Sequence, residues 1–424
     1  MSVLPLAGVR IVEFTLALAG SHAVRFWGNY GAEVIKVESR TYVDFMRNEE
    51  PRVPGIAGPN VSQRWNTANG DKLGVTLNMN HARAHDLALR LVATADVVLD
   101  NLVTGTMQRW GLSYDDLRGA REDVIVLSMP VMGQYGPRRA YRGFGPGIQG
   151  IAGLNSITGD PDYPPAMWAV PYPDFSSNPY HAAAAMLAAL HYRNRTGKGQ
   201  FIDLSQYEAT LGLIGPALME WTVNRRLPQQ LGNRLPGMAP HGVYRCRVED
   251  RQPTGANTES QTGARREDRW VAIAVQNDAE WQALREAMGD PAWAADERFG
   301  TLLGRMQHED ALDEQLEAWT VERSAEEVML LLQRRGIAAG VVQSMEDILS
   351  RDPQMRARGA LQPIEHPQAG VRQYPAPAFQ LSRTPHTLRR PAPMLGEHTA
   401  AVFGDLLGLS ECEFKALEEE GSFE

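Results

Sequence analysis

Cysteine is nearly missing: Cys246 and Cys412 are the only two among 424 residues. So few thiols exclude a disulfide framework and a cysteine-rich metal site, and they suit a reducing compartment. Positive charge is not in excess either. Lys and Arg number 42 against 51 Asp and Glu, for a formal net charge of −9. That balance argues against a general nucleic-acid coat and leaves only local basic clusters for a phosphorylated small molecule. No apolar run reaches the roughly 18–20 residues of a membrane span. The opening MSVLPLAGVRIVEF has no basic segment ahead of an apolar one. A cytoplasmic protein is the expectation. There is no internal repeat and no low-complexity tract. With 43% hydrophobic and 22% charged residues the chain reads as ordinary globular protein, and 424 residues exceed one ordinary core, so two domains are expected.

The N-terminal half alternates strand and helix. VRIVEF (9–14) is short, branched and apolar, as a buried strand should be. LAGSHAVRFWGNYG (18–31) predicts a helix ending near Gly31, and AEVIKVES (32–39) a second strand. LGVTLNM (73–79), HARAHDLALRLVATA (81–95), DVVLDNL (96–102) and DVIVLSM (123–129) continue as strand, helix, strand and strand. This order implies a parallel α/β sheet. The expected fold is a Rossmann-like, doubly wound large domain over 1–205, completed by 345–424. A linker over 206–235 leads to a smaller α+β domain over 236–325, and 326–344 is expected to return. The stretch 248–269 is polar and reads as a surface loop, WVAIAVQ (270–276) as a strand, and 278–335 as amphipathic helices closed by Gly336.

Acid is also scarce in one place. Between Asp162 and Asp203 the only Asp or Glu is Asp174, in VPYPDFSSNPYHAA (170–183). Asn178 suits a helix N-cap and Pro179 the first helical position, while Gly197 suits the C-terminal stop. Asp174 is therefore expected on a loop just before a helix, where backbone N–H groups favour an anion or a developing oxyanion. Such a carboxylate serves as a turn residue or as a nucleophile toward an activated acyl group.

Several segments, in order, resemble the family III coenzyme A transferases (CaiB/BaiF type), the group of formyl-CoA and carnitine CoA-transferases. PLAGVRIVEFT (5–15), LAGS (18–21) and GAEVIKVES (31–39) resemble its N-terminal strand–helix–strand. NGDK (69–72) resembles its Asn-x-x-Lys turn, and ADVVLDNLVTGTMQRWGLSYDDL (95–117) its Val-Glu-Asn-Phe segment. YPDFSSNPYHAAAAMLAALHYRNRTGKGQFIDLSQYEA (172–209) resembles the segment with the catalytic aspartate; DPQMRARG (352–359) and PAPMLGEHT (391–399) resemble its C-terminal markers.

The resemblance implies that Asp174 is the nucleophile of a CoA-transferase. CoA would be a substrate, with no permanent cofactor or metal. It implies Lys72, Arg109 and Arg142 as cations along the CoA path, with Ala19 and Asn101 near the pantetheine and nucleotide. Arg40 stands one residue after the place of the family's base-stacking arginine, which is Ser39 here. The family habit implies an acyl-CoA donor such as succinyl-CoA, a carboxylic acid acceptor, and an interlocked homodimer or a heteromer with a paralogue. Leu18 replaces a glutamine of formyl-CoA transferase, and the lid region GNRLPGMAPHG (232–242) has no glycine run. Both speak against a formyl or oxalyl specialist, and Leu16, Leu18 and Trp168 favour a larger or more apolar acyl group. His241 and Tyr244 beside the lid are lesser candidates. Three rivals are weaker. A racemase of this fold would need a His where Phe144 stands. A silent subunit would not need Asp174. A dehydrogenase would need a GxGxxG where the chain reads TLALAGSHA.

Overall fold

The computed structural model describes residues 4–167, 170–251 and 265–424. It divides into two units, one made of 1–156, 166–228 and 358–424, the other of 157–165 and 229–357.

The first unit opens with β1 (Arg10–Phe14), α1 (Leu18–Asn29), β2 (Glu33–Glu38), α2 (Gln63–Asn69), β3 (Lys72–Thr76), α3 (Ala82–Val92) and β4 (Val97–Asp100). It continues through α4 (Thr106–Arg109), α5 (Tyr114–Ala120), β5 (Ile125–Ser128), α6 (Gly145–Ile151), α7 (Asn178–Thr196), β6 (Phe201–Asp203), α8 (Gln206–Leu211) and α9 (Gly215–Asn224). Six strands form one sheet in the order β3-β2-β1-β4-β5-β6, and every pairing is parallel. Successive strand residues feed opposite faces. Ile11, Val34, Val97 and Ile125 pack toward α1 and α7, while Val12, Ile35, Val98 and Val126 pack toward α3 and α5. A sheet buried on both faces explains why its strands read as unbroken apolar runs.

The second unit holds β7 (His241–Arg251), β8 (Arg265–Ala274), α10 (Asp278–Met288), α11 (Leu302–Gln307), α12 (Glu309–Thr320), α13 (Ala325–Gln333), β9 (Ala338–Val341) and α14 (Pro353–Ala357). Its sheet is antiparallel, ordered β7-β8-β9. The first unit closes with the hairpin β10 (Leu361–His366) and β11 (Gly370–Pro375) and with α15 (Thr399–Leu407) and α16 (Glu411–Glu419).

Two linker expectations are corrected. The stretch 326–344 is not a plain return: it supplies most of α13 and all of β9, whose Val341 pairs with Val271. Ile337 and Leu332 are buried in that unit's core, so the apolar pattern there served packing. Residues 206–224 carry α8 and α9, and the first unit extends to 228. Most of the polar loop at 248–269 lies outside the described residues.

Candidate active site

The connections from β1 and β4 lead away in opposite directions along the sheet. In an open α/β sheet, ligands bind at this reversal, beyond the carboxyl ends of the strands. A cavity of about 610 Å³ opens there, inside the first unit. Its wall comes from the segments that leave the strands: Thr15–Ala17 after β1, Ser39–Tyr42 in part after β2, Asn101–Val103 after β4 and Val131 after β5.

Asp174 lines this cavity and is only 7% exposed. Residues Pro173–Ser177 form a π-helical turn that runs unbroken into α7. The expected loop with an Asn178 cap is therefore corrected: Tyr172, Ser177 and Asn178 all have right-handed helical dihedrals, and the helical path already starts at Pro173. Asp174 sits in the first turn of that path. Single π turns of this kind recur at functional sites. At the far end Gly197, with φ of 72°, stops α7 as expected.

Being inside the helix, Asn178 is free to use its amide elsewhere. Its Nδ2 donates to Asp174 Oδ1 at 3.4 Å and to Gln206 Oε1 at 3.0 Å. Gln206 in turn donates from Nε2 to the Met129 carbonyl at 2.6 Å. A carbonyl accepts only, so this last bond turns the Gln206 oxygen toward Asn178, and the Asn178 NH2 group toward the carboxylate. From the other side the Gly145 amide lies near Asp174 and favours its ionised form. A β-carbon at Gly145 would overlap Asp174 Oδ2 and stand 2.6 Å from Pro171 Cβ. Burial pushes the Asp174 carboxyl up to about 6, with the Asn178 and Gly145 donors opposing it. The group is therefore mostly ionised at neutral pH yet poorly hydrated, which suits a nucleophile.

Of the other expected residues, Ala19, Asn101, Arg109 and Arg142 line the same cavity. Arg109 donates from Nη2 to Thr106 Oγ1 at 2.8 Å. Asn101 spends both ends of its amide on the backbone of Leu16, accepting from its N–H at 2.8 Å and donating to its carbonyl at 2.6 Å. Lys72 is not in the wall. It is fully buried and held by Glu13 Oε1 at 2.7 Å, the Ser21 carbonyl at 2.8 Å and Asn69 Oδ1 at 3.0 Å. Its charge serves the sheet core, because a buried ammonium needs a carboxylate within reach. Arg40 is exposed, lies against Gly396 and is likewise absent from the wall.

Leu16 lines the cavity, whereas Leu18 packs with Met46, Trp65 and Tyr374 in a separate apolar cluster. Trp168 lies outside the described residues. Phe144 lines the cavity and meets Phe45 edge-on, with centroids 5.4 Å apart. In the second unit Tyr244 is a core residue whose hydroxyl donates to Asp313 at 2.7 Å, and His241 Nδ1 stands 2.5 Å from the Asn233 carbonyl. The glycines of RRAYRGFGPG (138–147) mark a place where backbone can approach a ligand, and Gly145 is one of them; Gln206 carries no such signal, since nothing local distinguishes it from a helix-start glutamine.

Known proteins resemble the chain over nearly its whole length. The model of the family described as CoA-transferase family III matches residues 6–264 and 247–399. The chain is 31% identical over 415 residues to the succinyl-CoA–D-citramalate CoA-transferase of Chloroflexus aurantiacus, covering 98% of this chain and 97% of that one. It is 30% identical over 404 residues to the succinate–glutarate CoA-transferase of Agrobacterium fabrum, covering 95% and 96%. A crystal structure of a CaiB/BaiF family protein from Brucella suis matches with a TM-score of 0.82 at 28% identity, covering 96% of this chain and all of that one. The six-stranded parallel sheet is that family's fold, and the matches run nearly end to end: the chain belongs to CoA-transferase family III.

Proposed function

We propose that the enzyme moves CoA from succinyl-CoA to a second small carboxylic acid through covalent intermediates on Asp174. The observation that carries this reading is the buried carboxylate at the cavity wall, aligned between the Gly145 N–H and the Asn178 amide. Asp174 attacks the thioester carbonyl and expels CoA thiolate, forming an acyl-aspartyl anhydride. The thiolate attacks the aspartyl carbonyl, releasing the donor acid and leaving an aspartyl-CoA thioester. The acceptor carboxylate attacks that thioester, and the returning thiolate takes the acceptor's acyl group, freeing Asp174. One thioester is exchanged for another, so no bond energy has to be supplied. Ala19, Asn101, Arg109 and Arg142 are proposed to bind CoA, the two arginines toward its phosphates.

A dicarboxylate acceptor is favoured by the two relatives named above, whose names pair succinyl-CoA or succinate with a second dicarboxylic acid. With Leu18 turned away from the cavity, the case for a large apolar acyl group loses one of its supports. A racemase is disfavoured by Phe144, which has no proton acceptor. A cytoplasmic dimer of interlocked chains remains part of the proposal. Its support here is α9, none of whose residues is buried although Met219, Trp221 and Val223 are apolar.

Incubation with succinyl-CoA followed by hydroxylamine and peptide mass analysis tests the chemistry. A hydroxamate on Asp174 that depends on acyl-CoA is expected. An unmodified Asp174 in protein that binds CoA would overturn the covalent route. Native mass spectrometry reads the dimer.

A further inference from the structure

The floor of the cavity rests on a backbone conformation that the sequence gives no reason to expect. Ala17 lies between β1 and α1 at φ 58° and ψ −151°. That region is essentially reserved for glycine, because a β-carbon there crowds the backbone. Ala17 carries one anyway, and it also occupies the N-cap position of α1 with no side chain able to cap it. Something outside the turn must hold it.

Two side chains do. Asn101 grips Leu16 at both its N–H and its carbonyl. Asp44 takes the next amide: its Oδ2 accepts from the Ala17 N–H at 3.1 Å, across 27 residues of chain. The other oxygen, Oδ1, accepts from the Met46 N–H at 3.0 Å within its own short turn, Phe45–Asn48. Asp44 is 1% exposed, and the Lys36 ammonium stands 4.0 Å from Oδ2. Its own turn is tied down by Arg47. Arg47 makes two bonds to Glu38, at 2.9 and 2.7 Å, and lies 3.5 Å above the Trp65 ring. The neighbouring Phe45 packs on Phe144, the residue before the Gly145 that touches Asp174. One anchored turn thus contacts both the cavity floor at Ala17 and the wall beside the nucleophile.

We propose that Asp44 is a positioning residue for acyl exchange. It holds Ala17 in its strained conformation and so fixes the Leu16–Ala17 floor against which the thioester must lie. The inference rests on the reading of Asp174 as nucleophile, and it assigns Asp44 no contact with substrate. Asn at position 44 keeps the volume but replaces one acceptor oxygen by a donor, so it cannot serve both amides.

The test is a double-mutant cycle of Asp44→Asn and Ala17→Gly in the full-length enzyme, with kcat and KM for succinyl-CoA. D44N is expected to lower kcat roughly ten- to hundred-fold, the scale of one strained residue, with KM for succinyl-CoA changed by less than about threefold. Adding A17G should restore at least about fivefold of that loss, because glycine adopts the conformation without being held. A residue that merely stabilised the fold would not be rescued by a glycine placed at the one strained position. Unchanged kcat in D44N, or no recovery in the double variant, overturns the proposal. Hydrogen exchange over residues 14–20 separates this from a failure of the activity itself. If the wild type exchanges no thioester, the acyl-exchange reading falls. If D44N leaves that peptide as protected as the wild type, the holding role of Asp44 falls.

Discussion

Gly145 and Asp174 stand so close that a single methyl group on the glycine would occupy the space of the carboxylate oxygen. The glycine is needed for that space, not for its dihedral, since it is not among the residues with positive φ. Gly145→Ala should therefore displace Asp174 or Pro171 and lower kcat by about 100-fold or more, given what small misplacements of reacting groups cost. CoA affinity should change less, because Arg109, proposed above to bind CoA, comes from the segment after β4 and not from the Gly145 loop. Steady-state kinetics beside calorimetric CoA titration check both halves.

The Asn178–Gln206 relay favours the ionised form of Asp174, the proposed nucleophile. Asn178 donates to Asp174 and so favours the ionised form against burial. Removing it in Asn178→Ala should raise the Asp174 carboxyl above its value of about 6. Activity needs the carboxylate, so the acid limb of kcat/KM should move to higher pH. Gln206→Leu should shift it the same way by a smaller amount, since the Asn178 amide is then free to rotate. A pH profile between 5 and 8 decides; an unmoved limb in N178A would remove Asn178 from this role.

Most of this architecture was legible from residue patterns because a sheet covered on both faces writes its strands as apolar runs. Ile11–Phe14 and Val34–Val37 could hardly be anything else. Asp174 stood out through the absence of neighbouring acids. Other features were hidden for physical reasons. The π turn makes Asn178 look like a cap, since Asn before Pro179 fits a helix start as well as it fits a helix interior after an earlier start. Lys72 looks like a phosphate ligand until Glu13, 59 residues away, is seen bonded to it. The strain at Ala17 leaves no mark at all, for Asp44 meets it only in three dimensions.

Lys72 and Arg109 should accordingly fail in different ways. Lys72→Met takes from Glu13 its close cation and leaves it Lys36, 4.0 Å away, and the Thr15 hydroxyl at 3.0 Å. Breaking a buried pair costs about 3–5 kcal/mol, so chemical denaturation should show a large loss of stability. Arg109→Ala should leave stability within about 0.5 kcal/mol, as expected for an exposed residue. It should raise KM for acyl-CoA, with the difference from wild type shrinking as salt is added.

The same burial that would sharpen Asp174 as the proposed nucleophile costs the fold. Its carboxyl is raised from 3.8 to about 6, so between those values the native state binds more protons than the unfolded chain. Stability attributable to this group is therefore full below about pH 4 and declines as pH rises through 6. The displacement corresponds to roughly 3 kcal/mol at neutral pH, an upper bound because the group is not fully enclosed. Asp174→Asn cannot ionise and escapes this cost. The variant should form no hydroxamate and transfer no CoA, yet its stability relative to wild type should climb from pH 4 to about pH 6 and level off by about pH 7. Denaturation midpoints across that range give the measurement. A pH-independent difference would mean that Asp174 is no harder to ionise in the fold than in the unfolded chain, and that its reactivity has to come from the Asn178 and Gly145 contacts alone.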